Sequence, residues 1–226
     1  TCAFTAYILR DAGFSVGLYT SPHLNDFRER IRILRPICSL HCSPNYVIAN
    51  AHRYNSLAMT RDMIRDFEGM ISQKGLSCLV RELKPIIARY NRQSKYGALS
   101  FFEVYTAVAF LYFKREEVDF AVLETGMGGA LDATNAADSL ACGITPLSLE
   151  HTRKLGSTLE KIAGEKAGII KSKGAVVISA LQEEEAAKAI HNRCERFQAE
   201  YYQIGKQIKY FKGASTPKSL ARAIVT

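Results

Sequence analysis

No apolar run in this 226-residue chain approaches the roughly 18 residues of a membrane-spanning helix, and no secretory leader pattern is visible. Regular cysteine spacing is missing too. The six cysteines, at positions 2, 38, 42, 78, 142 and 194, form neither a disulfide framework nor a paired C-x-x-C metal site. A reducing cytoplasm is the setting they fit. There is no internal repeat and no low-complexity tract. The net charge of +8 favours anionic partners, yet no recognised nucleic-acid motif or Arg/Lys/aromatic stripe accompanies it, so neither nucleic acid nor a membrane is expected as a partner.

What remains is a chain with 47% hydrophobic and 23% charged residues, enough for one domain with a full core. Residues 1–12 place Phe4, Ile8 and Ala12 on one helical face, with Gly13 as a stop. The chain begins inside this helix, with no initiator methionine and no strand before it. Val16–Tyr19 reads as a buried strand, followed by the loop Thr20-Ser21-Pro22-His23. Ser72 is placed to cap a helix reaching about Ala88, and Ser100 with Glu103 has capping-box spacing for a helix through Lys114. Phe120–Leu123 is a compact strand that runs into Glu124 and the glycines 126, 128 and 129. Beyond it the pattern predicts strands at 141–145 and 175–179 and helices at 158–167 and 183–198. Such alternation predicts an α/β fold, a mostly parallel sheet with helices on both faces, whose ligands gather at the carboxyl ends of the strands.

Ser21, Glu124 and His151 each stand at or just after a predicted strand end. A hydroxyl, a carboxylate and an imidazole there suit a divalent ion such as Mg²⁺, with phosphate oxygens and water completing the shell. Spacing alone leaves the plainer reading open: Ser21 closes a turn, Glu124 ends a strand, and His151 caps a helix. Glu124-Thr125-Gly126-Met127-Gly128-Gly129 fails the G-x-G-x-x-G spacing, so it reads as a turn bringing backbone near a ligand. Lys166 suits the negative end of its helix. Cys38, His41 and Cys42 resemble half a zinc site without its other half.

Several blocks, in order, resemble folylpolyglutamate synthase and dihydrofolate synthase, of the Mur ligase superfamily. They are Leu18-Tyr19-Thr20-Ser21-Pro22-His23-Leu24, Phe27-Arg28-Glu29-Arg30-Ile31-Arg32-Ile33, Ser100-Phe101-Phe102-Glu103, Leu123-Glu124-Thr125-Gly126-Met127-Gly128-Gly129, Leu131-Asp132-Ala133-Thr134-Asn135, Glu150-His151-Thr152 and Glu165-Lys166-Ala167-Gly168-Ile169. The resemblance implies a Mur-ligase-like, ATP-binding central domain over residues 1–210, with 211–226 as linker or tail. It implies a monomer that uses ATP and Mg²⁺ to join L-glutamate to dihydropteroate or folate through an acyl phosphate. It also implies metal ligands at Ser21, Glu124 and His151 and a catalytic, carbamylated lysine at Lys166. The pterin-side pocket falls on Ser100, Phe101, Phe102, Glu103, Leu131, Asp132 and Ala133.

The chain departs from that pattern in three respects. The phosphate loop G-x-x-x-x-G-K-[ST] and its strand do not precede Thr1, nor does a second domain follow residue 210, so weak ATP binding and no turnover are expected of these residues alone. Residues 35–66 interrupt a stretch that is normally short. Ala130 replaces an arginine usual in bacterial members, and Glu150 replaces an aspartate.

Overall fold

Strand β1, Val16–Tyr19, is buried at all four positions and organises the first half of the chain. The structure, a computed structural model, describes residues 1–36 and 67–209. These fall in two compact units, Thr1–Gly126 and Met127–Thr226. The stretch 37–66, with Cys38, His41 and Cys42, and the whole of the expected 211–226 linker or tail lie outside the described residues.

In the first unit β1 pairs antiparallel with β2, Ile31–Leu34, and parallel with β3, Phe120–Leu123. Its side chains alternate between two cores, as a pleated strand requires. Val16 and Leu18, with Leu34, pack beneath helix α1, Cys2–Asp11, around Ala6. Tyr19, with Ile31 and Ile33, packs on the other face against α2, Gln73–Gln93, and α3, Phe101–Arg115. Gly17 belongs to this second face. A Cβ there would stand 2.7 Å from the Phe113 ring, so Phe113 fills the space a side chain would take.

The structure adds to the sequence reading at two helices. The face of α1 that packs is Cys2, Ala3, Ala6, Tyr7 and Leu9, while Phe4 and Ile8 are 79% and 66% exposed. The 3.6-residue period does not say which of two apolar stripes meets the sheet. Small Ala3 and Ala6 allow the closer approach, and Arg10 is buried beside them because its guanidinium meets Asp11 and Glu68 at 2.7 and 2.8 Å. Helix α2 also continues beyond Ala88 to Gln93, with Pro85 inside it. The Asn91 carboxamide accepts the Leu99 N–H at 3.0 Å and ties its last turn to the chain that follows.

The second unit holds three parallel strands in the order β4, Ala141–Ile144, β5, Val176–Ser179, and β6, Glu200–Gln203. Short helix α4, Thr152–Leu155, precedes α5, Leu159–Ala167, and α6, Glu184–Phe197, follows β5. Cys142, Ile144 and Val177 pack against Ala167, Ile170, Ile190 and Cys194. The α/β class and the dominance of parallel pairing agree with the sequence pattern. The strands β2 and β6 were not legible in it, because Arg32 and the Glu200-Tyr201-Tyr202-Gln203 run break the apolar signature of a buried strand. No described helix is long and apolar enough to cross a membrane.

Gly17→Ala should destabilise the first unit by about 1–3 kcal/mol through overpacking against Phe113. The measurement is the urea midpoint of unfolding, which should fall without a change in slope.

Candidate functional site

The parallel register sets Tyr19 beside Leu123, so Thr20 and Glu124 leave their strands together at the carboxyl edge. The Glu124 N–H donates to the Tyr19 carbonyl at 2.9 Å, which carries the ladder one step past the strand. One residue further, the Ser21 N–H donates to Glu124 Oε2 at 2.8 Å. Ser21 and Glu124, 103 residues apart, are thus brought together as the sequence predicts, with the carboxylate oriented by backbone and both groups only half-buried.

The loop that carries Ser21 is held by a residue to which the sequence assigns no role. Glu29 is 5% exposed, and its carboxylate accepts the backbone N–H groups of Leu24, Asn25 and Asp26 at 2.7, 3.0 and 2.8 Å. The Asp26 side chain accepts the Arg28 N–H in return, completing a capping box. The available signal was the spacing Asp26-x-x-Glu29. His23, within the loop, accepts a hydrogen bond from Arg30 Nε at 2.9 Å through Nδ1.

The expected pterin-side residues divide by role. Glu103 accepts both the N–H and the hydroxyl of Ser100 at 2.6 Å, so these two residues satisfy each other at the start of α3. The Ser100 hydrogen bonds also hold the Glu103 carboxyl below its ordinary range. Phe102 lies under Gly126, where a Cβ would stand 2.6 Å from its ring. Phe101 is 63% exposed and stacks on Tyr105 with ring centroids 5.3 Å apart. Tyr105 in turn donates to the Phe27 carbonyl at 2.8 Å and meets the Phe27 ring edge-on. Phe27, Tyr105 and Phe101 therefore form an aromatic shelf of which the sequence singles out only Phe101.

In the second unit Asp132 shapes the loop after Met127. Its carboxylate accepts the Met127 N–H at 3.0 Å and the Thr134 N–H and hydroxyl at 3.0 and 2.6 Å. Leu131, beside it, is 95% exposed, and Ala133 is half-buried. The loop is fastened to the end of α5. The Ala130 N–H donates to the Glu165 carbonyl at 2.9 Å, and the Asn135 side chain donates to the carbonyls of Ala130 and Gly168 at 3.0 and 3.2 Å. A Cβ on Gly129 would meet the carbonyls of Glu165 and Lys166 at 2.7 Å. The glycine at 129 thus serves close backbone packing against the turn that bears Lys166.

Lys166 Nζ lies 2.9 Å from Glu150 Oε1. This hydrogen bond and the lysine's charge hold the Glu150 carboxyl below its ordinary range. Next to Glu150, His151 is exposed and takes the left-handed conformation, φ 50°, as N-cap of α4, without a capping bond from its ring. Met127, His151, Thr152, Arg153 and Lys154 line a shallow concavity of about 340 Å³. Among the described residues no three His, Cys, Asp or Glu side chains cluster to hold a metal.

The Glu29 geometry carries a pH dependence. The Leu24 N–H first, then those of Asp26 and Asn25, hold its carboxyl below the ordinary range against the opposing effect of burial. A depressed folded-state pKa stabilises above the unfolded value, and that stability is lost as pH falls through the ordinary carboxylate range toward the folded one. Thermal unfolding followed from neutral pH downward should show this loss. Glu29→Gln should flatten that part of the profile and lower the midpoint at neutral pH.

No protein-family model matches the chain. Curated relatives do. Over 218 residues it is 34% identical to the dihydrofolate synthase/folylpolyglutamate synthase of Bacillus subtilis, an alignment covering 96% of this chain and 43% of that protein. Folylpolyglutamate synthase of Mycobacterium tuberculosis, solved with ADP and AMPPCP, superposes with TM-score 0.71 at 30% identity, over 91% of this chain and 40% of that one. A folylpolyglutamate synthase solved with AMPPCP and folate gives TM-score 0.65 at 29% identity, over 89% and 41%. The chain therefore spans less than half the length of the proteins it matches, and as a segment of that extent it belongs to the folylpolyglutamate/dihydrofolate synthase family.

Proposed function

We propose that this chain is the central, ATP-binding part of a ligase that joins L-glutamate to dihydropteroate or folate, and that residues 1–210 act as one Mur-ligase-like domain. The observation that carries this reading is the joining of Ser21 to Glu124 across the carboxyl ends of β1 and β3, in a chain 34% identical to a dihydrofolate synthase/folylpolyglutamate synthase. A reducing cytoplasmic setting accords with the free cysteines 2, 78, 142 and 194.

The proposed Mg²⁺ ligands are Ser21 and Glu124 from the first unit and His151 from the second. The donor set in the first unit fits a hard cation: a hydroxyl and a carboxylate whose Oε2 is already oriented by the Ser21 N–H. With few protein donors, phosphate oxygens and water would supply the rest of an octahedral shell. When bound, the ion neutralises charge on the phosphates and aligns the γ-phosphate for transfer.

In the proposed reaction a substrate carboxylate oxygen attacks the γ-phosphorus of ATP, the bond to ADP breaks, and an acyl phosphate forms. The glutamate amine then attacks the acyl carbon and phosphate leaves, giving the amide. The Phe101 ring and the loop of Leu131, Asp132 and Ala133 are assigned to the pterin side. Glu29 holds the Ser21 loop in place, and Asp132 and Asn135 shape the glycine loop.

For Lys166 the proposed active form is the carbamate, whose formation consumes a neutral amine. With ¹³C-bicarbonate, a carbamate resonance should appear in the unaltered chain and be absent in Lys166→Ala. Equal signals in both would remove Lys166 from the reading.

The ligase reading is tested on the chain extended to the length of its relatives, phosphate loop included, beside the 226-residue chain. ADP formation should require both glutamate and dihydropteroate or folate in the extended protein and fall by about 100-fold in Glu124→Gln. The shorter chain should bind Mg·ATP only weakly in calorimetry. Undiminished turnover in Glu124→Gln would overturn the metal assignment, and a folded extended protein that makes no ADP would overturn the ligase reading.

A further inference from the structure

Arg193 stands on α6, outside every block that carries the family resemblance, and its guanidinium reaches the turn that follows α5. Nε donates to the Ile170 carbonyl at 2.9 Å and Nη2 to the Gly168 carbonyl at 3.5 Å. The planar fork thus spans two carbonyls at and just beyond the negative end of that helix. The guanidinium is held in place as well, its carbon 4.3 Å from the centre of the Phe197 ring one turn further on. Among the described residues no carboxylate pairs with Arg193, so its charge is answered by these carbonyls and the ring.

The Gly168 carbonyl is shared. Asn135 Nδ2 donates to it at 3.2 Å and to the Ala130 carbonyl at 3.0 Å. Because both neighbours accept, the carboxamide must turn its nitrogen toward them. Its Oδ1 is then buried without a hydrogen-bond partner among the described residues. From the other side Lys171 Nζ donates to the Asn135 main-chain carbonyl at 2.6 Å and reaches Asp138 Oδ1 at 3.2 Å. Arg193, Gly168, Asn135 and Lys171 therefore form one circuit that joins α6, the turn after α5 and the loop 129–135. The last turn of α5, which carries Lys166, is fastened into it: the Gly168 N–H donates to the Glu165 carbonyl at 3.1 Å, and so does the Ala130 N–H at 2.9 Å.

We propose that Arg193 is a positioning residue for the ligase, whose fork fixes the turn from Gly168 to Ile170 against the Asn135 loop and so sets where Lys166 stands during phosphoryl transfer. This rests on the ligase reading and adds to it a residue that touches neither substrate nor metal. Any cation near this end would stabilise α5 through its charge alone. Holding both carbonyls at once needs the fork, since a lysine ammonium is a point charge on a flexible stem. Loss of the fork shifts the groups that orient the reaction and is felt in rate, while the phosphate loop that binds ATP lies elsewhere in the chain.

The test uses the chain extended to the length of its relatives, carrying Arg193→Met, Arg193→Lys, Lys171→Met or, as a control, Arg196→Met, whose guanidinium lies 5.6 Å from the same Phe197 ring. Thermal midpoint, kcat and KM for ATP are measured at a temperature where each protein is folded. Arg193→Met should lower kcat about tenfold and leave KM for ATP unchanged. Arg193→Lys should regain most of the midpoint without regaining kcat. Lys171→Met, which frees the Asn135 loop from its other side, should reproduce the loss of kcat and decides the matter should Arg193→Met fail to fold. Arg196→Met should keep full kcat. If kcat merely follows the midpoint across the variants, if Arg193→Lys and Lys171→Met both keep full kcat, or if Arg196→Met loses as much, the inference fails while the ligase reading stands. If the unaltered extended protein folds and makes no ADP, the ligase reading fails and takes the inference with it.

Discussion

The close approach of Phe113 to Gly17 is the contact on which the first unit depends. A residue with a side chain at 17 would push α3 away from β1. Because α3 lies directly on the strand, Thr106, next to the buried Tyr105, donates to the Phe102 carbonyl at 2.8 Å and sits 3.1 Å from the Tyr19 hydroxyl. That spacing sets Phe102 under Gly126, where the chain turns out of the sheet after Glu124. The position of Glu124 at the strand edge is thus a consequence of core packing several residues away, with Ser21 recruited through a single backbone hydrogen bond.

Much of this was legible in the sequence because it rests on local rules. The apolar runs at Val16–Tyr19 and Phe120–Leu123 predict strands whose ends the structure finds at those residues, and Ser72 and Ser100 cap helices as their spacing predicts. The parallel pairing of β1 with β3 then brings Ser21 to Glu124. His151 does stand at a helix start, yet its ring makes no capping bond, so the plainer structural reading accounts for its backbone and leaves the imidazole unexplained.

What escaped the sequence are interactions whose partners are backbone groups. Glu29 resembles any charged residue in a basic block, and its importance comes from three N–H groups converging on it once residues 24–26 turn. Asn135 and Gly129 likewise work through carbonyls of α5 that no residue pattern reveals. The choice of the buried face of α1 has the same origin. Periodicity identifies apolar stripes, whereas the small side chains of Ala3 and Ala6 and the ion pairs of Arg10 decide which stripe is buried.

Charge follows a comparable division. Where cations in the first unit meet carboxylates, they join elements: Arg10 with Glu68, Arg35 with Glu116, and Arg115 with Glu82. Those pairs hold helix and sheet edge in place, and one of them takes up Glu82, the single carboxylate of α2. In the second unit Lys166 and Glu150 do the opposite: their pairing, 2.9 Å long and partly open to solvent, joins no distant elements of the core. It holds charge next to His151 while contributing little to stability.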